Sequence, residues 1–134
     1  MSDGRIFIEP VPTAETEAFW AGTAEGRFLV RRCRSCGKAH WYPRTICPFC
    51  SSDETEWVEG TGEGTIYSFS IMRRAKPNYV MAYVTLTEGP TMMTNIVDCD
   101  PESLRIGDAV RVTYVKTAEG RALPMFTPKS EASA

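Results

Sequence analysis

The chain reads as mainly β and in two unequal parts: a short N-terminal helix with a small four-cysteine module, then a five-stranded barrel. Three observations predict this. Cys33-Arg-Ser-Cys36 and Cys47-Pro-Phe-Cys50 are two Cys-x-x-Cys pairs with ten residues between them. Gly60-Thr-Gly-Glu-Gly64 is a turn-rich seam, and beyond it apolar residues recur at every second position in short runs. Two thiolates separated by two residues wrap one metal ion in a tight knuckle, and two such pairs supply the four soft ligands of a closed tetrahedral site. Period-two alternation marks half-buried strands. Five of them, with one helical turn between the third and fourth, give a closed or nearly closed barrel with the strand count of an OB-fold.

Composition bounds the function classes. The 134 residues are 43% hydrophobic and 24% charged, with a net charge of −2. That length suits a metal-stapled module joined to a compact core of about 60–80 residues. No apolar run approaches the roughly 18–20 residues needed to span a bilayer, so no membrane association is expected. The N-terminus lacks the charged start, apolar centre and small-residue cleavage site of a secretory signal. Five cysteines without an export signal point to a reducing cytoplasm, where thiolates bind metal. Two disulfides would suit a secreted chain, and a single redox pair would leave the second pair unexplained. A slightly acidic chain also lacks the positive charge that drives binding to phosphate backbones, which argues against nucleic acid.

Taken in order, residues 1–12 carry Pro10 and Pro12 and no periodicity, and read as an extended lead-in. Thr13 is a good N-cap, followed by Glu15 and Glu17 where a helix dipole favours acids, and by Ala18, Phe19 and Trp20 before Gly22. The expected helix is about two turns long and closes an N-terminal part at 1–26. Phe19 and Trp20 are too large and apolar to be left in water; they pack on the rest of the chain or form a partner-binding face.

A ribbon is expected over 27–60, with Phe28-Leu29-Val30 as a short strand leading into the first knuckle and Ile46 leading into the second. Gly37, directly after the first pair, suits a backbone that turns with positive φ. Arg27, Arg31, Arg32, Arg34, Lys38 and Arg44 have no acid among them, and then the sign reverses at Asp53, Glu54, Glu56, Glu59 and Glu63. The basic run either recognises a phosphate or, more ordinarily, is solvated and offsets the negative charge of four thiolates.

The barrel is expected over 61–128. Its first strand, 66–72, would put Tyr67, Phe69 and Ile71 on one face and Ser68 and Ser70 on the other. Strands follow at 79–87, 91–98, 109–116 and 121–126, with a turn at Glu88-Gly89-Pro90 and a helical turn at 101–104. Residues 129–134 are small and polar, and a mobile tail is expected there.

The chemistry-bearing residues can be weighed one by one. A catalytic zinc keeps one position open for water, whereas Cys33, Cys36, Cys47 and Cys50 fill all four, so the metal reads as structural: zinc, with iron as the alternative. His40, the only histidine, is not needed as a ligand. Cys99 is the only thiol outside the site, and the flanking Asp98 and Asp100 disfavour its thiolate, so it reads as non-catalytic. No nucleophile elbow, His-Glu-x-x-His or Walker loop is present. The Gly-x-Gly-x-Gly at 60–64 lacks the strand before and helix after it that a nucleotide fingerprint requires.

With these parts in place, the chain resembles a family of small proteins in which a rubredoxin-like zinc ribbon precedes an OB-fold, associated with thiolases and other acyl-CoA enzymes. The residues that carry the resemblance are Thr13 with Phe19-Trp20, Arg32-Cys33-x-x-Cys36-Gly37, Pro43-Arg44, Cys47-Pro48-x-Cys50, Trp57, Gly64-Thr-Ile-Tyr-Ser-Phe, and Leu104-Arg-Ile-Gly107-Asp-Ala-Val110. The resemblance covers roughly residues 13–127. The resemblance implies a non-catalytic accessory subunit that forms a hetero-oligomer with a thiolase-like or hydratase-like acyl-CoA enzyme and helps shape its CoA channel. The cations of Arg73-Arg74-Ala-Lys76-Pro77-Asn78, the loop between the first two barrel strands, are then candidates for the phosphates of coenzyme A or acyl-CoA at the partner interface, against the plainer reading of a solvated hairpin tip. The alternative function is a nucleic-acid-binding zinc-ribbon and OB module; a stand-alone enzyme is a third.

Overall fold

The computed structural model describes residues 7–129. The tail expected at 129–134 lies outside them except for Lys129, as do the first six residues of the lead-in.

The described part of the lead-in has no regular structure, and one side chain ties it down. The Glu9 carboxylate accepts from the Thr117 hydroxyl at 2.6 Å and from the Glu119 N–H at 3.2 Å, both in the last turn of the chain. The helix, α1, spans Glu17–Ala24 and starts later than the Thr13 cap predicts. Thr13 instead closes a preceding turn: its carbonyl accepts the N–H groups of Thr16 and Glu17, and its own N–H donates to Thr16 Oγ1 at 2.9 Å. Gly22 sits inside the helix rather than after it. A Cβ there would stand 3.1 Å from the Arg27 carbonyl and from the Leu29 side chain, so glycine lets the next strand pass close by.

Three short strands build the ribbon: β1 (Leu29–Cys33), β2 (Ala39–His40) and β3 (Thr55–Glu59), in the order β2-β1-β3. The sheet departs from the sequence layout at two places. Ile46 is not in a strand and stands half exposed at the rim of the second knuckle. The strand that completes the sheet is the acidic stretch after the second pair, whose Glu56 and Glu59 stand across β1 from Arg32 and Leu29. The reversal of charge along the sequence thus sets Arg32 opposite Glu56 across the antiparallel ladder and lets Arg27, just before β1, reach Glu59 at 3.4 Å.

The barrel is closed by β4 (Glu63–Met72), β5 (Tyr79–Leu86), β6 (Thr91–Ile96), β7 (Ala109–Lys116) and β8 (Ala122–Pro128) in the order β4-β5-β6-β8-β7, with a single 3-10 turn at Pro101–Ser103 after β6. The expected faces of β4 need a correction. A β-bulge lies between Ile66, opposite Val84, and Ser68, opposite Tyr83, so Tyr67 is the extra residue. A bulge shifts the inward phase by one. Ile66 points in before it, the partly buried Phe69 and Ile71 pack against the core after it, and Tyr67 is expelled into solvent.

One hydrophobic core runs through both parts. Phe19, Phe28, Leu29 and Val30 belong to the same buried cluster as Ile66, Val80, Val84, Val110 and Phe126. Phe28 is the bridge: its ring lies 6.0 Å from Phe19, is stacked at 6.0 Å on Trp41, and meets Phe126 of β8 edge-on at 6.2 Å. Phe19 is therefore a core residue and not part of a partner-binding face.

Candidate functional site

The four predicted thiols converge. The Sγ atoms of Cys33, Cys36, Cys47 and Cys50 all lie within 4.8 Å of one another, with Cys33 to Cys50 at 3.6 Å and Cys36 to Cys47 at 3.7 Å. Four thiolates held about 2.3 Å from a central zinc define a tetrahedron with edges of about 3.8 Å, so the donor set fits that ion.

The two knuckles are built alike. In the first, the Cys33 N–H bonds to the Lys38 carbonyl and the Gly37 N–H to the Cys33 carbonyl; in the second, the Cys47 N–H bonds to the Ser52 carbonyl and the Ser51 N–H to the Cys47 carbonyl. Gly37 has φ of +78° as expected, and its counterpart Ser51 adopts φ of +67° without glycine's freedom. Ser35 and Ser52 share a hydrogen bond of 2.9 Å between the two tips.

Backbone amides turn onto the sulfurs, as thiolates require. The Cys36 N–H points at Cys33 Sγ (3.5 Å) and the Phe49 N–H at Cys47 Sγ (3.4 Å). The Cys36 amide is the main reason the Cys33 thiol is lowered to about 6. Cys50 is pushed up to about 12: the Ser52 amide favours its thiolate, but burial and the thiols of Cys33, Cys47 and Cys36 together outweigh it. Four negative sulfurs this close cannot coexist without a cation between them. The cluster supports structural metal binding, with no position left for a reacting water.

All of the basic run except the exposed Arg34 has side-chain contacts within the chain. Arg31 lies over the Trp57 ring at 4.9 Å and donates to Thr55 Oγ1 at 3.1 Å. Arg27 pairs with Glu59 and Arg32 donates to the Gly37 carbonyl. Lys38 sits over the Phe49 ring, and Arg44 pairs with Glu15. Glu15, expected in the first helical turn, instead accepts the Thr45 N–H at 2.8 Å, and this bond is the main cause of its lowered pKa. Neither that contact nor the Glu9 latch has a local sequence signal.

His40 is a structural residue. Its Nε2 accepts the Arg44 N–H at 3.2 Å and burial lowers its pKa. Cys99 lines a groove of about 520 Å³ with Asp98, Asp100, Ser103 and Arg111. Burial, then Asp100 and Asp98, push its thiol up, away from a nucleophilic thiolate. Of the loop cations, Arg73 is turned onto Glu102, with contacts of 2.5 and 3.4 Å, while Arg74 and Lys76 are exposed. Among the described residues, no helix is long and apolar enough to cross a membrane.

A four-cysteine ribbon fused through one core to a closed five-stranded barrel defines a zinc-ribbon and OB-fold protein. Two family models match the chain: the ChsH2 rubredoxin-like zinc ribbon domain over residues 20–56 and the ChsH2 C-terminal OB-fold domain over residues 57–115. A DUF35 domain-containing scaffold protein of Methanothermobacter thermautotrophicus is 36% identical over 95 residues, covering 66% of this chain and 71% of that protein. The chain belongs to this DUF35 family. A probable enoyl-CoA hydratase alpha subunit of Thermomonospora curvata is 34% identical over 129 residues, which is 90% of this chain but 40% of the longer relative. Among solved structures, a chain of the Ltp2-ChsH2(DUF35) aldolase superposes with a TM-score of 0.80 at 28% identity, covering 91% of this chain and all of that one.

Proposed function

We propose that the chain is a non-catalytic accessory subunit of a thiolase-like, hydratase-like or aldolase acyl-CoA enzyme, to which it docks and whose CoA channel it helps to shape. The observation that carries this reading is a closed four-thiol site in a chain whose remaining described thiol is raised, within a fold shared almost end to end with a chain of an aldolase complex. Cys33, Cys36, Cys47 and Cys50 hold zinc and keep the ribbon in shape; the bond-making chemistry belongs to the partner's own residues. Arg74 and Lys76, with Arg73 behind its Glu102 pair, meet the phosphates of acyl-CoA at the interface.

Affinity purification of the chain from its native host tests the reading. Co-purification of a thiolase-, hydratase- or aldolase-type subunit is the expected result. Acyl-CoA turnover by the isolated chain, or no acyl-CoA enzyme in the pull-down, would sink it. In the purified complex, replacing Arg73, Arg74 and Lys76 together by Ala should raise KM for acyl-CoA; unchanged kinetics would remove them from that role.

A further inference from the structure

The connection from β6 to β7 is firmly built. At its start the Val97 N–H bonds to the Phe126 carbonyl, and at its far end Gly107 and Asp108 bond to both backbone groups of Ile66. Between these ties the Asp100 carboxylate caps the 3-10 turn by accepting the Glu102 N–H at 3.0 Å. Ser103 donates its N–H and its hydroxyl to the Asp100 carbonyl at 2.9 and 2.7 Å, and Leu104 is buried in the core. Glu102 therefore stands on a fixed turn with its carboxylate in solvent.

The loop from β4 to β5 is the looser partner. Over 73–78 its backbone closes one turn, from the Ala75 N–H to the Met72 carbonyl at 3.3 Å. Among the described residues, its hydrogen bonds to the rest of the chain are the two that Arg73 donates to Glu102, through Nη1 at 2.5 Å and Nη2 at 3.4 Å. Both ends of the guanidinium go to one carboxylate, a fork that fixes direction as well as position. Arg74 and Lys76 follow directly, in solvent.

We propose that Glu102 is a positioning residue for acyl-CoA binding: as the fixed foot of a strut to Arg73, it holds the β4–β5 loop where Arg74 and Lys76 meet phosphate; this rests on the function proposed above. The strut also decides which cations face the ligand. Were Arg73 to leave for a phosphate, Glu102 would be bare, a third acid beside Asp98 and Asp100 on the same connection, facing a ligand of the same sign. Kept together, Arg73 and Glu102 cancel, and the loop's surplus positive charge is that of Arg74 and Lys76. The paired side chains are 62% and 63% exposed, so the strut changes affinity by a few-fold rather than by orders of magnitude.

The test is calorimetric titration of the purified complex with coenzyme A, using variants whose circular dichroism and metal content match wild type. Arg73→Ala and Glu102→Ala should each raise Kd about threefold. The charge swap, Arg73→Glu with Glu102→Arg, should return it to within about 1.5-fold of wild type, because a strut works in either polarity. A lower Kd in Glu102→Ala would show Arg73 freed to bind phosphate itself and overturns the strut, as does a swap no better than the single variants. If Arg74→Ala with Lys76→Ala raises Kd while Glu102→Ala leaves it unchanged, the strut falls and the accessory role stands. If that double variant binds like wild type, the loop has no part in holding coenzyme A and the strut falls with it. A wild-type complex that does not bind coenzyme A, or a pull-down without an acyl-CoA enzyme, overturns the functional reading and this proposal together.

Discussion

Gly64 is held to its identity by contact. A Cβ there would lie 2.5 Å from the Thr85 carbonyl oxygen and 2.8 Å from the Val84 side chain, so Gly64→Ala has to push β4 away from β5. The expected cost is about 1–3 kcal/mol, seen as a lower urea midpoint at an unchanged slope. His40 makes a prediction of the opposite kind, through protons. Burial lowers its folded pKa below the ordinary 6.5, so below that pH the unfolded chain takes up a proton that the folded one refuses. Its stabilising contribution is complete above about pH 6.5 and is lost as the pH falls. The urea midpoint should therefore fall between about pH 7.5 and 5.5, and fall less steeply in His40→Gln. Metal loss acts on both proteins alike, so the difference between the two slopes isolates the imidazole. At this scale the sequence was most legible where chemistry is local, as in the four cysteines and Gly37. It was silent where a side chain reaches far along the chain, as Glu15 does to Thr45, Glu9 to Thr117 and Arg73 to Glu102.

Elements show the same division. The barrel strands were most legible where alternate residues are buried, as in β5 and β6, and the first knuckle's strand because an apolar triplet leads into it. β3 was not, because four of its five residues are only partly buried and two are acids, so it reads as a solvated charge run until β1 lies beside it. Tyr67 was assigned inward because a bulge leaves no trace in a period-two pattern. Ile46 leads into the second knuckle outside any strand, and beside it the Thr45 backbone bonds to the side chains of Glu15 and Thr55 instead of to a strand. The ribbon's own prediction concerns metal. Zinc near one equivalent per chain is the expected result of metal analysis on reduced protein, and neither zinc nor iron at that level would overturn the site. Replacing Cys36, an exposed ligand, by Ser leaves the core untouched and should still lower metal content, because the remaining thiolates no longer close the tetrahedron.

At the scale of the whole molecule, the shared core couples that metal to the barrel. Phe28 touches Phe126, and Leu29 and Val30 belong to the cluster that fills the barrel. Chelation should therefore do more than melt β1–β3. Amide exchange in β8 around Phe126 should accelerate in the metal-free protein, whereas two independent modules would leave β8 protected. Phe19→Ala should act in the same way, at a cost of about 3–5 kcal/mol, because the ring it removes props Phe28 and Trp41. The barrel wall itself is uneven. The ladders β4–β5, β5–β6 and β7–β8 are long and β4 pairs β7 over three residues, but β6 and β8 meet in parallel through the single pair Ile96 and Phe126, extended by the Val97 N–H to the Phe126 carbonyl. Such a cylinder behaves like a rolled sheet with a narrow lap joint, and the amides on either side of that seam are expected to exchange before those of the hairpins.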